Sequence, residues 1–233
     1  MATIFVRRRI CCKTLIILHS TLIKGVNAML IKTLPVGILE TNCYIVTDEE
    51  TRKCAIIDPG ADSNTILDYV ESNNLSPVAV FLTHGHFDHI MALEAVMEDT
   101  DAQVYINEKE VSPDAQHDRH KVSDNEKLSY YKEGDIINIG NLEFAVMETP
   151  GHSPGSVTLK CKEALFTGDT LFCGDCGRTD LAGGSREVIL QSLRRLAELD
   201  GNFEVYPGHA ESSTLDNERR FNRDMRYATG ELA

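Results

Sequence analysis

Three imidazoles and a carboxylate fall within six residues in Thr83-His84-Gly85-His86-Phe87-Asp88-His89. Imidazole nitrogen and carboxylate oxygen are ligands for zinc, iron or manganese, and packing them this tightly points to a metal centre rather than a polar loop. The chain has only eight histidines in 233 residues, which makes such a cluster hard to ascribe to composition. Three further candidates follow, each beside a glycine. They are His152 in Thr149-Pro150-Gly151-His152-Ser153, Asp169 in Thr167-Gly168-Asp169-Thr170 and His209 in Pro207-Gly208-His209. Glycine next to a ligand lets the backbone turn sharply and keeps Cβ atoms out of a crowded coordination sphere. Seven donors of this kind suit two ions that share one carboxylate.

These residues stand where short β-type runs end. Leu30 to Leu34, Cys43 to Thr47 and Ala55 to Ile57 read as strands, the last closed by Asp58-Pro59-Gly60. Asp62-Ser63-Asn64 offers a helix cap, with an apolar stripe of Ile66, Leu67, Tyr69 and Val70 ending at Asn73-Asn74. Val78 to Leu82 is a continuous apolar run, a buried strand that delivers the histidine cluster at its C-terminal end, and a helix over Ile90 to Met97 puts Asp88 and His89 on its first turn. Gln103 to Ile106 is a strand, whereas Glu108 to Glu133 reads as a polar surface excursion whose His117 and His120 are solvated. Strands resume at Ile136 to Ile139, Leu142 to Met147, Ser156 to Cys161, Ala164 to Phe166 and Phe203 to Tyr206. Arg186 to Leu199 is an amphipathic helix, and Leu215 to Tyr227 reads as one charged terminal helix. The order places the chain in the α+β class, with two sheets face to face and helices outside.

Length and composition fit one globular domain over residues 29–233. The formal charge of −13 hides an asymmetry, because residues 1–28 carry five basic groups and no acidic one. The remainder holds 18 basic against 36 acidic groups, a body at −18 that repels phosphate backbones and anionic lipid, so neither nucleic acid nor membrane is an expected partner. Residues 1–28 read as a disordered extension or a mis-assigned start before Met29, with an export signal as the alternative. Their apolar run is too short to span a bilayer. Seven cysteines in an irregular set point to a reducing compartment and a cytoplasmic location, and Cys173-Gly174-Asp175-Cys176 reads as thiols at the rim of the site.

The ordered ligand set resembles the metallo-β-lactamase superfamily and, within it, the short single-domain members of the hydroxyacylglutathione hydrolase (glyoxalase II) branch. The resemblance covers nearly all of Met29 to Tyr227. It implies a four-layer αββα sandwich, one ion on His84, His86 and His152, a second on Asp88, His89 and His209, and Asp169 bridging them. It also implies two divalent ions, zinc first and iron or manganese as alternatives, and a small-molecule acyl thioester as substrate. A metal-bridging hydroxide held by Asp169 and oriented by Asp88 would attack the carbonyl, and a thiolate leaving group needs no dedicated general acid. The loop Gly177-Arg178-Thr179-Asp180 offers Arg178 as a contact to a substrate carboxylate, with a salt bridge to a neighbouring Asp as its other reading. The rival within the fold is a persulfide dioxygenase with a single iron. β-Lactamases generally lack a bridging Asp, superfamily nucleases are disfavoured by the acidic body, and a retired non-enzymatic module would be missing ligands. None is missing here.

Overall fold

The computed structural model describes residues 28–111 and 127–232. The expectations for residues 1–27 and for His117 and His120 lie outside that range. Two six-stranded sheets pack face to face with helices on both outer surfaces, as expected for an αββα sandwich. The first runs β1 (Met29–Val36), β2 (Thr41–Asp48), β3 (Lys53–Ile57), β4 (Ser76–Phe81), β5 (Gln103–Asn107) and β6 (Leu128–Tyr131) in spatial order. The second runs β7 (Ile136–Ile139), β8 (Leu142–Glu148), β9 (Val157–Cys161), β10 (Ala164–Gly168), β11 (Glu204–Pro207) and β12 (Ser213–Thr214). β3 to β6 are parallel to one another, as are β10 and β11, and the other neighbours are antiparallel.

Two-residue periodicity divides the apolar side chains among three cores. On β2 to β4, Cys43, Ile45, Cys54, Ile56 and Val80 face outward under α1 (Ser63–Ser72) and α3 (Leu93–Asp99). Their neighbours Tyr44, Val46, Ala55, Ile57, Ala79 and Phe81 face inward to the second sheet, meeting Phe144, Leu159 and Phe166. Leu165 and Val205 turn to the far side beneath α4 (Arg186–Ala197), where Ile189, Leu193 and Leu196 cover them. Burial on both faces is why these strands read as unbroken apolar runs.

Four expectations need correction. Part of the stretch expected as a surface excursion is structured: Glu108–Glu110 is a 3₁₀ turn with Glu110 buried, and Leu128–Tyr131 is the sixth strand of the first sheet. Tyr131 there donates its hydroxyl to Leu82 O in the core, an anchor that polar flanking sequence conceals. The helix after the histidine cluster is two pieces, α2 (Phe87–Ile90) and α3, because Ala92 N donates to Pro59 O. The terminal helix is likewise split into α5 (Leu215–Phe221) and α6 (Arg223–Ala228) by Asn222, whose side chain accepts from the backbone N–H groups of Asp224 and Met225. Finally, Asp62 stands at the N-cap of α1 but its carboxylate accepts from Gly37 N, across the β1–β2 hairpin, and not from the helix.

The sheets are tied together along one edge. Val157 N donates to Thr83 O, Asn42 N donates to Gly208 O, and the Tyr44 hydroxyl donates to Pro207 O at 2.6 Å. Among the described residues no helix is long and apolar enough to cross a membrane. Phe166 is fully buried at the centre of the sandwich with Tyr44, Phe144 and Tyr206 around its ring. Phe166→Ala is expected to cost about 3–5 kcal/mol, measured as a lower denaturant midpoint of metal-free protein.

Candidate metal centre

All five histidines of the described residues converge at the tied edge. His84 and His86 follow β4, His152 follows β8, Asp169 follows β10 and His209 follows β11, so four strand ends aim their loops at one volume. α2 adds Asp88 and His89. Each seven-donor residue expected from sequence is therefore in place, sorted into overlapping groups whose donor atoms lie within 4.8 Å of one another: His84, His86 and His152; Asp88, His89 and His209; and His84, His89 and Asp169.

A buried imidazole offers one nitrogen to a cation only if the other is held by an acceptor. Four of the five are held this way. His84 Nδ1 lies 3.1 Å from Thr83 Oγ1, His89 Nδ1 donates to Asp58 Oδ2 at 2.9 Å, His152 Nδ1 to Arg178 O at 2.8 Å and His209 Nδ1 to Leu39 O at 3.1 Å. Their Nε2 atoms face the shared volume, and His86 presents Nδ1, 2.8 Å from His152 Nε2. His84 Nε2, His89 Nε2 and Asp169 Oδ1 are buried without a hydrogen-bond partner. Each such atom costs about 1–3 kcal/mol unless something satisfies it. Three aimed at one place fit a bound cation, and the nitrogen and oxygen donor set suits zinc, iron or manganese.

The carboxylates lie between the imidazoles. Asp169 Oδ1 is 3.4 Å from His89 Nε2, and Oδ2 is 3.5 Å from His152 Nε2 and 3.6 Å from His209 Nε2, so one side chain reaches both histidine groups. Asp88 Oδ2 is 3.2 Å from His209 Nε2 and accepts from Thr41 Oγ1 at 3.1 Å. Burial, reinforced by neighbouring imidazoles, pushes the His84 pKa well down, and burial lowers that of His152, leaving both neutral as ligands must be. At His89 burial acts the same way, but the Asp169 and Asp58 carboxylates overcome it and lift the pKa well above the usual value. Asp169 and Asp88 are held low, against burial, mainly by His89 and His209 respectively. A divalent ion held by this group would take over the charge that a proton otherwise carries.

Three contributors give no plain sign in the sequence. Asp58, legible only as part of a turn, accepts from Thr83 N and Thr83 Oγ1 at 2.7 Å each as well as from His89. Thr41 steadies Asp88, and Asn42 donates its side-chain amide to Pro207 O and Ala210 O, bracing the His209 loop from the other sheet. The glycines have steric work to do. A Cβ at Gly208 would stand 2.2 Å from Asp169 Oδ1, and one at Gly177 would stand 1.8 Å from Asp169 O.

A cavity of about 460 Å³ opens over the centre, walled by Leu39, Phe87, Phe172, Cys176 and Leu181, with Arg178 at its rim. Cys176 is buried there, and burial, with Asp224 second, pushes its thiol up to about 12, so it is protonated and inert at neutral pH. Asp175, Cys176 and Asp224 also approach one another, but Arg186 already pairs with Asp224 and donates to Cys176 Sγ. Arg178 is paired locally: Nε and Nη2 each donate to Asp180 at 2.7 Å, an exposed bidentate pair.

Residues 36–209 match the family model of the metallo-beta-lactamase superfamily. The hydroxyacylglutathione hydrolase GloC of Haemophilus influenzae is 31% identical, covering 83% of this chain and 97% of that protein. The crystal structure of BLEG-1 B3 metallo-beta-lactamase superposes with a TM-score of 0.76 at 31% identity, covering 84% of this chain and 99% of that one. TTHA1623 in a di-iron-bound form gives 0.72 at 32%, covering 82% and 98%. Near-equal identity to proteins with such different descriptions leaves the choice of reaction to the site itself. Asp169→Ala is expected to lower the metal content of dialysed protein relative to wild type, measured by atomic emission.

Proposed function

The chain belongs to the metallo-beta-lactamase superfamily, and from that premise we propose that it is a dinuclear metal-dependent hydrolase acting on acyl thioesters. The observation that carries the reading is Asp169, whose carboxylate stands within 3.6 Å of His89, His152 and His209 and so touches both ligand groups. His84, His86 and His152 would hold one ion, Asp88, His89 and His209 the other, and Asp169 both. Ions bound there lower the pKa of a water to near neutrality and polarise a carbonyl.

The remaining steps fall to the chain. Thr41 donates to the Asp88 carboxylate and helps hold it, and Asp88 would ligate the second ion and accept a hydrogen bond from the attacking water. Leu39, Phe87, Phe172 and Leu181 exclude bulk water and offer an apolar wall to the acyl group. Every described imidazole is committed to the centre, and among the described residues the cavity lining holds no lysine or tyrosine to protonate a leaving group. A thiolate departs without a proton donor, whereas an amine does not. This favours a thioester over the β-lactam amide that the name of BLEG-1 would suggest.

The thiol carrier is constrained by Arg178. Two of its five N–H donors, the Nε/Nη2 edge, are taken by Asp180, so a carboxylate-bearing carrier such as glutathione competes with an internal partner for that edge. Purified, metal-analysed protein is expected to release free thiol from one or more of lactoyl-glutathione, acyl-coenzyme A and bacillithiol-type thioesters, with no oxygen uptake and no turnover of a penicillin. Oxygen consumption with glutathione persulfide and one iron per chain would replace this reading with a dioxygenase. Asp180→Asn is expected to raise kcat/KM for lactoyl-glutathione by about two- to fivefold and to leave that for a neutral N-acetylcysteamine thioester unchanged. An equal change for both substrates would remove Arg178 from the carrier site.

A further inference from the structure

We propose that Glu110 is a positioning residue that assembles the three-histidine group, gripping two separate ligand loops with one carboxylate. Its Oε2 accepts from Gly85 N at 2.7 Å, the peptide between His84 and His86. Its Oε1 accepts from Ser153 Oγ at 2.8 Å and from Gly155 N at 2.6 Å, in the turn that carries His152. All three ligands of one group are thus tied to a single side chain that touches none of them. Asp88, His89 and His209 make no hydrogen bond with it; Asp58, Thr41 and Asn42 brace them, Asp58 also accepting from Thr83 beside His84.

The site is shaped for this contact from both sides. Glu110 is 6% exposed, held at the end of β5 by a 3₁₀ turn that Asn107 caps through Lys109 N. A Cβ at Gly155 would stand 2.8 Å from Glu110 Oε1, and one at Gly85 would stand 3.2 Å from Oε2, so a glycine at each donor lets the carboxylate approach. Both oxygens act as acceptors facing N–H groups. Glutamine keeps the size but turns one acceptor into a donor that meets an N–H head on, leaving a buried amide unpaired. With the grip released, the 84–86 loop and the 152–155 turn move independently, and the ordering of three imidazoles falls on the metal ion itself.

The inference rests on the two-ion reading above and fails separately from it. Metal-free wild-type protein and Glu110→Gln are titrated with zinc against a chromophoric chelator, and with cobalt to follow each site by its absorption. The expected result is one ion bound as in wild type and the other weakened about ten- to a hundredfold, together with faster hydrogen exchange at the Gly85 and Gly155 amides of the metal-free variant. Equal weakening of both ions, or no change in either, overturns the proposal. If Glu110→Gln does not fold, Ser153→Ala decides: it removes one of the three donors and is expected to weaken the same ion alone, by a smaller factor, and unchanged binding overturns the proposal. One ion per wild-type chain would refute the two-ion reading instead, and amide exchange at Gly85 and Gly155 would then judge Glu110 alone.

Discussion

Five imidazoles can share one small buried volume only if each is neutral or partnered and turned to present a chosen nitrogen. That constraint organises everything around the centre. Desolvation makes charged histidines costly and leaves the ring nitrogens available, but it also demands an acceptor for every ring N–H that does not face the ion. Those acceptors are Thr83 Oγ1, Asp58, Arg178 O and Leu39 O, drawn from loops on both sheets. Of these four contacts only His209 to Leu39 crosses from one sheet to the other, and it is the one a slide of the sheets would break.

The sandwich therefore serves the site as a clamp. Backbone bonds from Thr83 to Val157 and from Asn42 to Gly208 cross from one sheet to the other within a residue of a ligand, and Tyr44 adds a third tie through Pro207. Beneath them the inward face of each sheet supplies aromatic rings in edge and tilted contacts, with Phe81 against Phe144 and Phe166 against Tyr44. Such packing resists shear, so the loops above it keep their spacing. The two acidic braces divide the labour: Asp58 stands behind His89 and Thr83, and Glu110 behind the loops bearing His84, His86 and His152.

The cavity above the candidate centre combines two characters. Its floor holds the carboxylates and imidazoles of the centre, while its described walls are apolar and Arg178 is already paired with Asp180. The formal charge of −13 over the whole chain disfavours polyanionic partners at long range. The short distance between Arg178 and Asp180 in sequence means that this neutralisation is a local feature of the loop, independent of the rest of the pocket.

The ligand residues, the strands that carry them and the two-sheet architecture were legible in the chain alone, because metal ligation needs particular residue types beside glycine and because strands buried on both faces are apolar throughout. Less visible were the strand Leu128–Tyr131 and the breaks at Ala92 and Asn222, where a tertiary hydrogen bond or a side-chain cap overrides local pattern. Asp58, Thr41, Asn42 and Glu110 were invisible as site residues, since their partners lie 25 to 168 positions away. Composition and spacing by themselves pointed to residues able to hold a metal, and the fold brings those residues together. Which nitrogen each histidine presents, and which carboxylate reaches both groups, was decided only when folding brought acceptors from distant strands into contact, because direction is a property of hydrogen-bond geometry and not of residue order.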